Sequence, residues 1–501
     1  MANASSRFER LGGPAELTED LATPAPGELL VVDLDGTLVA TDTLWESVSQ
    51  LLRREPGSLF SMLGWLGSGK AVFKQEIAKR APVDPTRLPY REAVLDRIRE
   101  RRSHGSEIVL ATASHIQTAQ AVADHLGLFD GILASQAATN LSGTEKLAAI
   151  RAYAGGRAFD YAGNASVDRA IWAEARHPLF VDPTPSVCRA IANGEIQGEF
   201  LVPPGNRRAA AFRALRARQW VKNALILVPL LLAHDLANAA SLFGAAVAFA
   251  SFCAIASATY LMNDLLDIEA DRLHPEKKKR PFAAGELPIA SGVVLAAILL
   301  ISGFGLSLLA LSATATGMLA LYLLCTSAYT LWLKQRLFID VLLLAGLYTL
   351  RVLAGGVAAE VAVSTWLLAF SVFFFLSLAL IKRYVELLEF RDAPAASLPR
   401  RAYRTSDTGL VETMGVTSGY LSVLVLGLYV NSDDVAQLYS APRWLWLITP
   451  VMLFWVSRIW FLARRGQLSS DPVLFATTDG PSYFAGALIV IIGTLASVLS
   501  P

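Results

Sequence analysis

The chain has 501 residues, 53% of them hydrophobic and 17% charged, with a formal net charge of +1. That charge averages two different halves and says little about partners, and no repeat, low-complexity tract or nucleic-acid signature is present. Cys188, Cys253 and Cys325 form no CxxC pair and the six histidines form no HxxxH pair, which excludes a disulfide framework and a zinc site.

Residues 1–215 read as a soluble protein rich in Arg, Asp and Glu. The opening MANASSRFERLGG lacks the apolar core of a signal peptide, so the N-terminal half is expected to stay in the cytoplasm. Residues 1–23 are read as a tail. The run Leu29 to Val32 is strand-sized, and the Asp33, Asp35, Gly36 and Thr37 that follow lie at its carboxyl edge. An Asp-x-Asp there suits phosphoryl transfer: one carboxylate attacks phosphorus and its neighbour handles the leaving-group proton. EIVLATAS, Glu107 to Ser114, is a second strand, GTEK contains Lys146, and FDYAGNASVD contains Asn164 and Asp168. Together these four segments resemble the haloacid dehalogenase superfamily. The resemblance implies a doubly wound α/β domain over about 24–200, with a helical cap at about 45–95 and its site at the strands' carboxyl ends. It makes Asp33 and Asp35 the catalytic pair, one the nucleophile and its neighbour the proton partner. Thr112 binds phosphate, Lys146 stabilises nucleophile and phosphate, and Asp33, Asp35, Asn164 and Asp168 hold Mg²⁺. Asn164 departs from the family pattern, because a neutral oxygen stands where an acid is usual. Three readings follow: an active phosphatase, a weakened one, or a binding or regulatory module.

Pro203, Pro204 and Gly205 mark residues 192–214 as a connecting stretch, with the linker itself drawn at 201–215. Arg207 to Arg218 reads as a basic amphipathic segment on anionic headgroups.

From about residue 222 apolar runs dominate. At roughly 20 apolar residues per span, about nine transmembrane helices are expected. They fall near 222–241, 243–262, 289–309, 315–333, 338–357, 364–381, 411–430, 443–461 and 482–499. One set of loops carries Arg272, Lys277, Lys278, Lys279, Arg280, Lys334, Arg336, Lys382, Arg383, Arg391, Arg400, Arg401, Arg404, Arg464 and Arg465. The other set carries Asp235, Glu360, Asp433 and Asp434, with Arg443 at an edge. This positive-inside pattern predicts a multi-pass cell (inner) membrane protein with its large polar loops and N-terminal domain in the cytoplasm.

The segment NDLLDIEADRLHPEKKKRPFAAG, Asn263 to Gly285, follows an apolar run and places Asp264, Asp267 and Asp271 three and four residues apart. That spacing predicts one helix face, where like charges repel unless a cation joins them. Hard oxygen ligands of this kind suit Mg²⁺ with substrate phosphates, and Lys277 to Arg280 add positive charge. The segment resembles the first aspartate-rich motif of the UbiA superfamily of membrane prenyltransferases. AYTLWLKQRLFIDV, with Tyr329 and Lys334, and DVLLLAGLYTLRVLAGG, with Asp340 and Arg351, are similar to its middle region. The resemblance covers about 211–500 and implies nine helices around a cavity that opens to the cytosol, in a domain drawn at 216–501. The usual second aspartate-rich motif is replaced by KRYVELLEFRD, with Lys382, Arg383, Glu386, Glu389 and Asp392. That segment, LRARQWVKN and the late DPVLFATTDGPS with Asp471 and Asp479 are more similar to the polyprenyl-phosphate phosphoribosyltransferase branch.

This resemblance implies Mg²⁺-dependent transfer of 5-phosphoribose from phosphoribosyl diphosphate to a polyprenyl phosphate. Asp264 and Asp267, with Asp271, hold the metal. Asn263, Lys277, Arg280, Tyr329, Lys334, Arg351, Lys382, Arg383 and Glu386 are candidates for binding substrate. Lys222 and Asn223 are candidates for the lipid phosphate. The N-terminal domain would then dephosphorylate the product. The rival readings are an aromatic prenyltransferase using polyprenyl diphosphate, and a silent N-terminal domain that regulates the membrane enzyme. No nucleic-acid partner is expected, and oligomeric state and lipid length are left open.

Overall fold

The computed structural model describes residues 28–55, 57–136, 140–389, 402–432, 435, 438–468 and 471–498. The tail 1–23 and Arg391, Asp392, Arg400, Arg401, Asp433 and Asp434 lie outside the described residues. The chain divides into two compact units: Met1–Ala211 with Asp264–Ser291, and Phe212–Asn263 with Gly292–Pro501.

In the first unit six parallel strands lie in the order β3-β2-β1-β4-β5-β6. They are β1 (Leu29–Val32), β2 (Glu107–His115), β3 (Gly131–Ser135), β4 (Phe159–Gly163), β5 (Pro178–Val181) and β6 (Glu199–Val202). The central strand β1 is buried on both faces, as parallel strands covered by helices are. Leu30 and Val32 pack with Val94, Ile98 and Val122 on one side, and Leu29 and Val31 with Ile150 and Trp172 on the other. The order in which strands are added reverses between β1 and β4, and a doubly wound sheet opens its ligand crevice at such a switch point. Strand β6 adds an edge inside the stretch read as connecting chain. Its four residues are too few to show an alternation.

The cap region contains α1 (Thr43–Arg54), α2 (Ser58–Gly67) and α3 (Lys70–Arg80), and α4 (Glu92–Ser103) leads into β2. Asp42 caps α1 by accepting from the backbone N–H groups of Leu44 and Trp45, at 3.0 and 3.2 Å. The basic stretch after β6 is broken: its helix ends at Ala214, and Arg216 takes the left-handed conformation.

Among the described residues, eight helices are long and apolar enough to cross a membrane: Ala239–Leu266, Ile289–Ala310, Ala313–Leu331, Ile339–Ala358, Thr365–Glu389, Thr405–Val430, Pro442–Arg464 and Gly480–Val498. They correspond to the second to ninth expected spans. The first, 222–241, is not one long helix. A 3-10 segment, Ala217–Leu227, gives way to Val228–Leu232, and His234 then turns left-handed. Pro229 brings no N–H to this stretch, and the Asn223 side chain is committed to a tertiary bond with Arg351.

Candidate functional site

Asp33 and Asp35 leave the end of β1 through a turn that only glycine can make. Gly36 has φ +75°, and a Cβ there would meet the Asn164 side chain at 2.0 Å. Lys146 donates to Asp33 Oδ1 at 2.8 Å, lies 3.6 Å from Asp168 Oδ1, and reaches the Tyr161 hydroxyl at 3.2 Å. Asp168 accepts from Tyr161 at 2.9 Å and from the Ala165 N–H at 3.1 Å. The other oxygen of Asp33 meets the Thr37 hydroxyl at 3.5 Å, a weak contact that leaves it the freer of the two.

Burial pushes the Asp33 carboxyl up to about 7; Lys146 opposes this, and Asp168 and Asp35 add to it. Burial also works against the charge on Lys146, but Asp33 and Asp168 outweigh it and hold the ammonium above its usual range. Three carboxylates therefore face one lysine in an enclosed place. These are oxygen donors of the kind that suits a hard cation, with Asn164 supplying a neutral oxygen, although among the described residues they are not gathered into a three-acid metal cluster.

Asp35 is held by groups that the sequence motifs did not single out. The Thr43 N–H donates to it at 2.7 Å and the Ser114 hydroxyl at 2.5 Å. Thr112 is fully buried and accepts from the Ser114 N–H at 3.0 Å, so Ser114 rather than Thr112 supplies the hydroxyl on Asp35. Beside it Thr43, Ser47, Lys74, Ile77, Ser114 and His115 line a cleft between the cap helices and the end of β2.

The aspartate-rich segment differs from the expected single helix face. The long helix ends at Leu266, Asp267 is non-helical (φ −102°, ψ 11°), and a short helix follows at Ile268–Leu273. Arg280 Nη1 lies 3.0 Å from Asp264 and 2.6 Å from Asp271, whereas Asp267 turns towards Arg53 at 3.7 Å. The mutual repulsion that a continuous face would impose is relieved by the break and by two guanidinium groups. No cluster of three metal-binding side chains is present among the described residues. Asp264 and Asp271 nonetheless converge on one cationic nitrogen, which marks a place that fits a cation; Asp267 does not join them. Burial pushes the Asp271 carboxyl up, against the pull of Arg280. Lys277 is exposed, and Asn263 is half-buried at the edge of the segment.

The same segment is fastened within its unit to α1. Arg272 donates to both oxygens of the buried Glu46, at 2.6 and 3.1 Å, and to the Arg87 carbonyl at 3.2 Å. Gln50 donates to Glu269 at 2.6 Å, and the Ser49 hydroxyl donates to the Leu265 carbonyl. Gly285, at φ +71°, lies so close to Ala40 that a Cβ would meet its carbonyl oxygen at 2.4 Å.

In the second unit Arg351 is buried within a span and makes three bonds to neutral partners: Asn223 Oδ1 at 2.8 Å, the Leu347 carbonyl at 2.7 Å and the Tyr322 hydroxyl at 2.9 Å. Lys222 pairs with Asp471. Burial opposes ionisation of Asp471, but Lys222 and Lys382 outweigh it and hold the carboxyl below its usual range. Arg383 is placed differently. It is fully buried between Asp340, at 2.5 Å, and Glu386, and Tyr403 also donates to Asp340 at 2.8 Å. Two carboxylates more than neutralise it, so this arrangement does not leave Arg383 and Glu386 as phosphate ligands. Tyr329 and Lys334 are half-buried near the turn between two spans.

The UbiA prenyltransferase family profile matches residues 224–496. The chain belongs to that family. A haloacid dehalogenase-like hydrolase profile matches residues 30–170, so the family domain is fused to a hydrolase-like domain. "Uncharacterized protein y4nM" of Sinorhizobium fredii is 35% identical over 92% of this chain and 89% of its own length, which spans both parts. "Nodulation protein NoeC" of Azorhizobium caulinodans is 37% identical over 56% of this chain and 89% of its own. "Decaprenyl-phosphate phosphoribosyltransferase" of Mycobacterium tuberculosis is 35% identical over 55% and 90%. As a UbiA-family protein with eight candidate spans among its described residues, this is an integral, multi-pass membrane protein.

Proposed function

We propose that this protein transfers 5-phosphoribose from phosphoribosyl diphosphate to a polyprenyl phosphate, and that its hydrolase-like domain removes a phosphate from the product. The observation that carries the transferase reading is the charge of the second unit's interior. Lys222 and Lys382 both act on one carboxylate, Asp471, and the three bonds of the buried Arg351 go to neutral groups. A buried polar cluster with surplus positive charge suits an anionic phosphate. An acceptor phosphate is already ionised and needs no general base. Its oxygen attacks C1 of the ribose, the C1–O bond to diphosphate breaks, and diphosphate departs with the electron pair. Asp264 and Asp271, which converge, would hold Mg²⁺, with Asp267 added only on leaving Arg53, and the ion would neutralise the diphosphate charge when bound. Arg280 and Lys277 lie close in sequence to these acids and would take the remaining phosphate charge. The names of the relatives that match the membrane domain agree with this substrate pair.

In the hydrolase-like domain the freer oxygen of Asp33 would attack phosphorus, while Lys146 holds the opposite oxygen. Asp35, fixed by Thr43 and Ser114, would give its proton to the leaving alcohol, and water would then release phosphate from Asp33. Asn164 supports the second reading, a silent domain that regulates the membrane enzyme. Both active sites are assigned to the cytoplasmic side from the distribution of lysine and arginine.

The test incubates purified protein with Mg²⁺, phosphoribosyl diphosphate and a polyprenyl phosphate and weighs the lipids, with Asp264→Ala/Asp267→Ala as control. A gain of phosphoribose, absent in the variant, supports transfer. A gain of ribose without phosphate supports the second step as well. No product here, with turnover of polyprenyl diphosphate and an aromatic acid instead, overturns the reading in favour of an aromatic prenyltransferase. Equal phosphate release by Asp33→Asn and the parent overturns the phosphatase.

A further inference from the structure

We propose that cap helix α2 lies on the bilayer surface and presents the phosphatase cleft to lipid-borne phosphate monoesters; the second clause rests on the hydrolase reading above. The sequence of α2, SLFSMLGWLG, contains no charged residue. Ser58, Met62 and Trp65, at helical spacing, turn inwards, and Met62 and Trp65 pack with Val48, Leu51 and Ile77 of α1 and α3. The opposite stripe is equally apolar and faces out. Leu59 is 50% exposed, Phe60 78%, Leu63 63% and Leu66 54%. A helix on a water-facing surface presents polar residues there, as α4 does with Glu92, Asp96, Arg99 and Glu100. A contiguous outward patch of leucine and phenylalanine marks a contact with another apolar phase.

The occupant follows from the rest of the chain. Every copy is inserted in a bilayer through its own spans, so that apolar phase is always present. At about 15 Å the ten-residue helix is half the thickness of a hydrocarbon core and cannot cross it. It is suited to lie in the interface. Its rim carries the matching charge: Arg54, Lys79 and Arg80 are exposed, and the Arg80 guanidinium lies 4.3 Å over the Trp65 ring. Glu55 and Glu76 offset part of it. Aromatic rings and snorkelling basic side chains are the usual companions of anionic headgroups. The next helix, α3, carries Lys74, Ile77 and Ala78 in the wall of the cleft beside Ser114 and Thr43. One helical hairpin therefore bears both the apolar face and a wall of the phosphatase cleft. A phosphate on a membrane lipid is the substrate class that this placement serves.

The experiment uses the unmodified full chain in vesicles containing anionic lipid and a phospholipid with a diazirine in its acyl chain. After illumination and digestion, lipid adducts are mapped by mass spectrometry. Adducts on peptides covering 58–67, besides those on the spans, are expected. Adducts confined to the spans overturn the proposal, as does crosslinking of 58–67 to a second copy of the chain instead. This readout needs no phosphatase activity, so its failure is distinct from failure of the hydrolase reading. Phe60→Ser/Leu63→Ser, whose side chains are exposed, tests the second clause. It should keep turnover of a soluble aryl phosphate and lose at least half of the turnover of a vesicle-borne lipid phosphate. Equal loss on both substrates, or on neither, overturns delivery by this helix.

Discussion

Two polar clusters among the described residues carry opposite charge. Behind β1, Asp33, Asp35 and Asp168 face one cation, Lys146. In the helical unit, Lys222 and Lys382 face one carboxylate, Asp471, and the buried Arg351 is bonded to neutral groups. A third kind is the closed pair, such as Arg272 with Glu46, in which charge balances and all the reach of the guanidinium is used. An unbalanced buried cluster asks for a ligand of the missing sign, whereas a balanced one holds structure. The first cluster fits a cation and a phosphate centre to attack, and the second an anion.

The largest expected effect is at the acidic cluster. Asp33→Asn should lower phosphate release about a thousandfold or more, as loss of a nucleophile does. The fold should survive, because burial already favours the neutral carboxyl there; circular dichroism checks this beside the phosphate assay. Arg351→Met should weaken binding of polyprenyl phosphate by about 10- to 100-fold, the worth of a charge-assisted bond of roughly 1.5–3 kcal/mol. Binding unchanged in a titration would break the comparison. Glu46→Gln should cost about 1–3 kcal/mol of stability by leaving Arg272 half-paired, with no change in lipid-phosphate affinity. It would read as a lower unfolding midpoint and faster hydrogen exchange over 264–285. The smallest effect has the opposite sign. Asp471→Asn removes a counter-charge of Lys222 and Lys382 and should tighten lipid-phosphate binding by about 2- to 5-fold, on the order of 0.5–1 kcal/mol. Weaker binding would mean that Asp471 orients the lysines rather than neutralising them.

Local signals made much of this legible. The strand before Asp33 and the eight long apolar helices could be read because a buried strand and a membrane span each announce themselves by composition. The missing first span shows the limit. Residues 222–241 are apolar enough, but Pro229 and the bond from Arg351 to Asn223 decide their path. Ser114 and Thr43 were invisible as partners of Asp35, since nothing about a serine or a backbone N–H in sequence names the carboxylate it will meet.

Sequence alone named the candidate groups: the Asp33–Asp35 pair, Lys146, the three acids of 264–271, and the basic ends of the spans. Spacing along one chain encodes local geometry, and these motifs are local. The tertiary structure decided which charges balance. It paired Arg383 with Asp340 across 43 positions and Lys222 with Asp471 across 249, and it parted Asp267 from Asp264 by means of Arg53 and Arg280. Whether a charge is spent on a neighbour or left for a ligand depends on contacts between distant segments, and only packing brings those together.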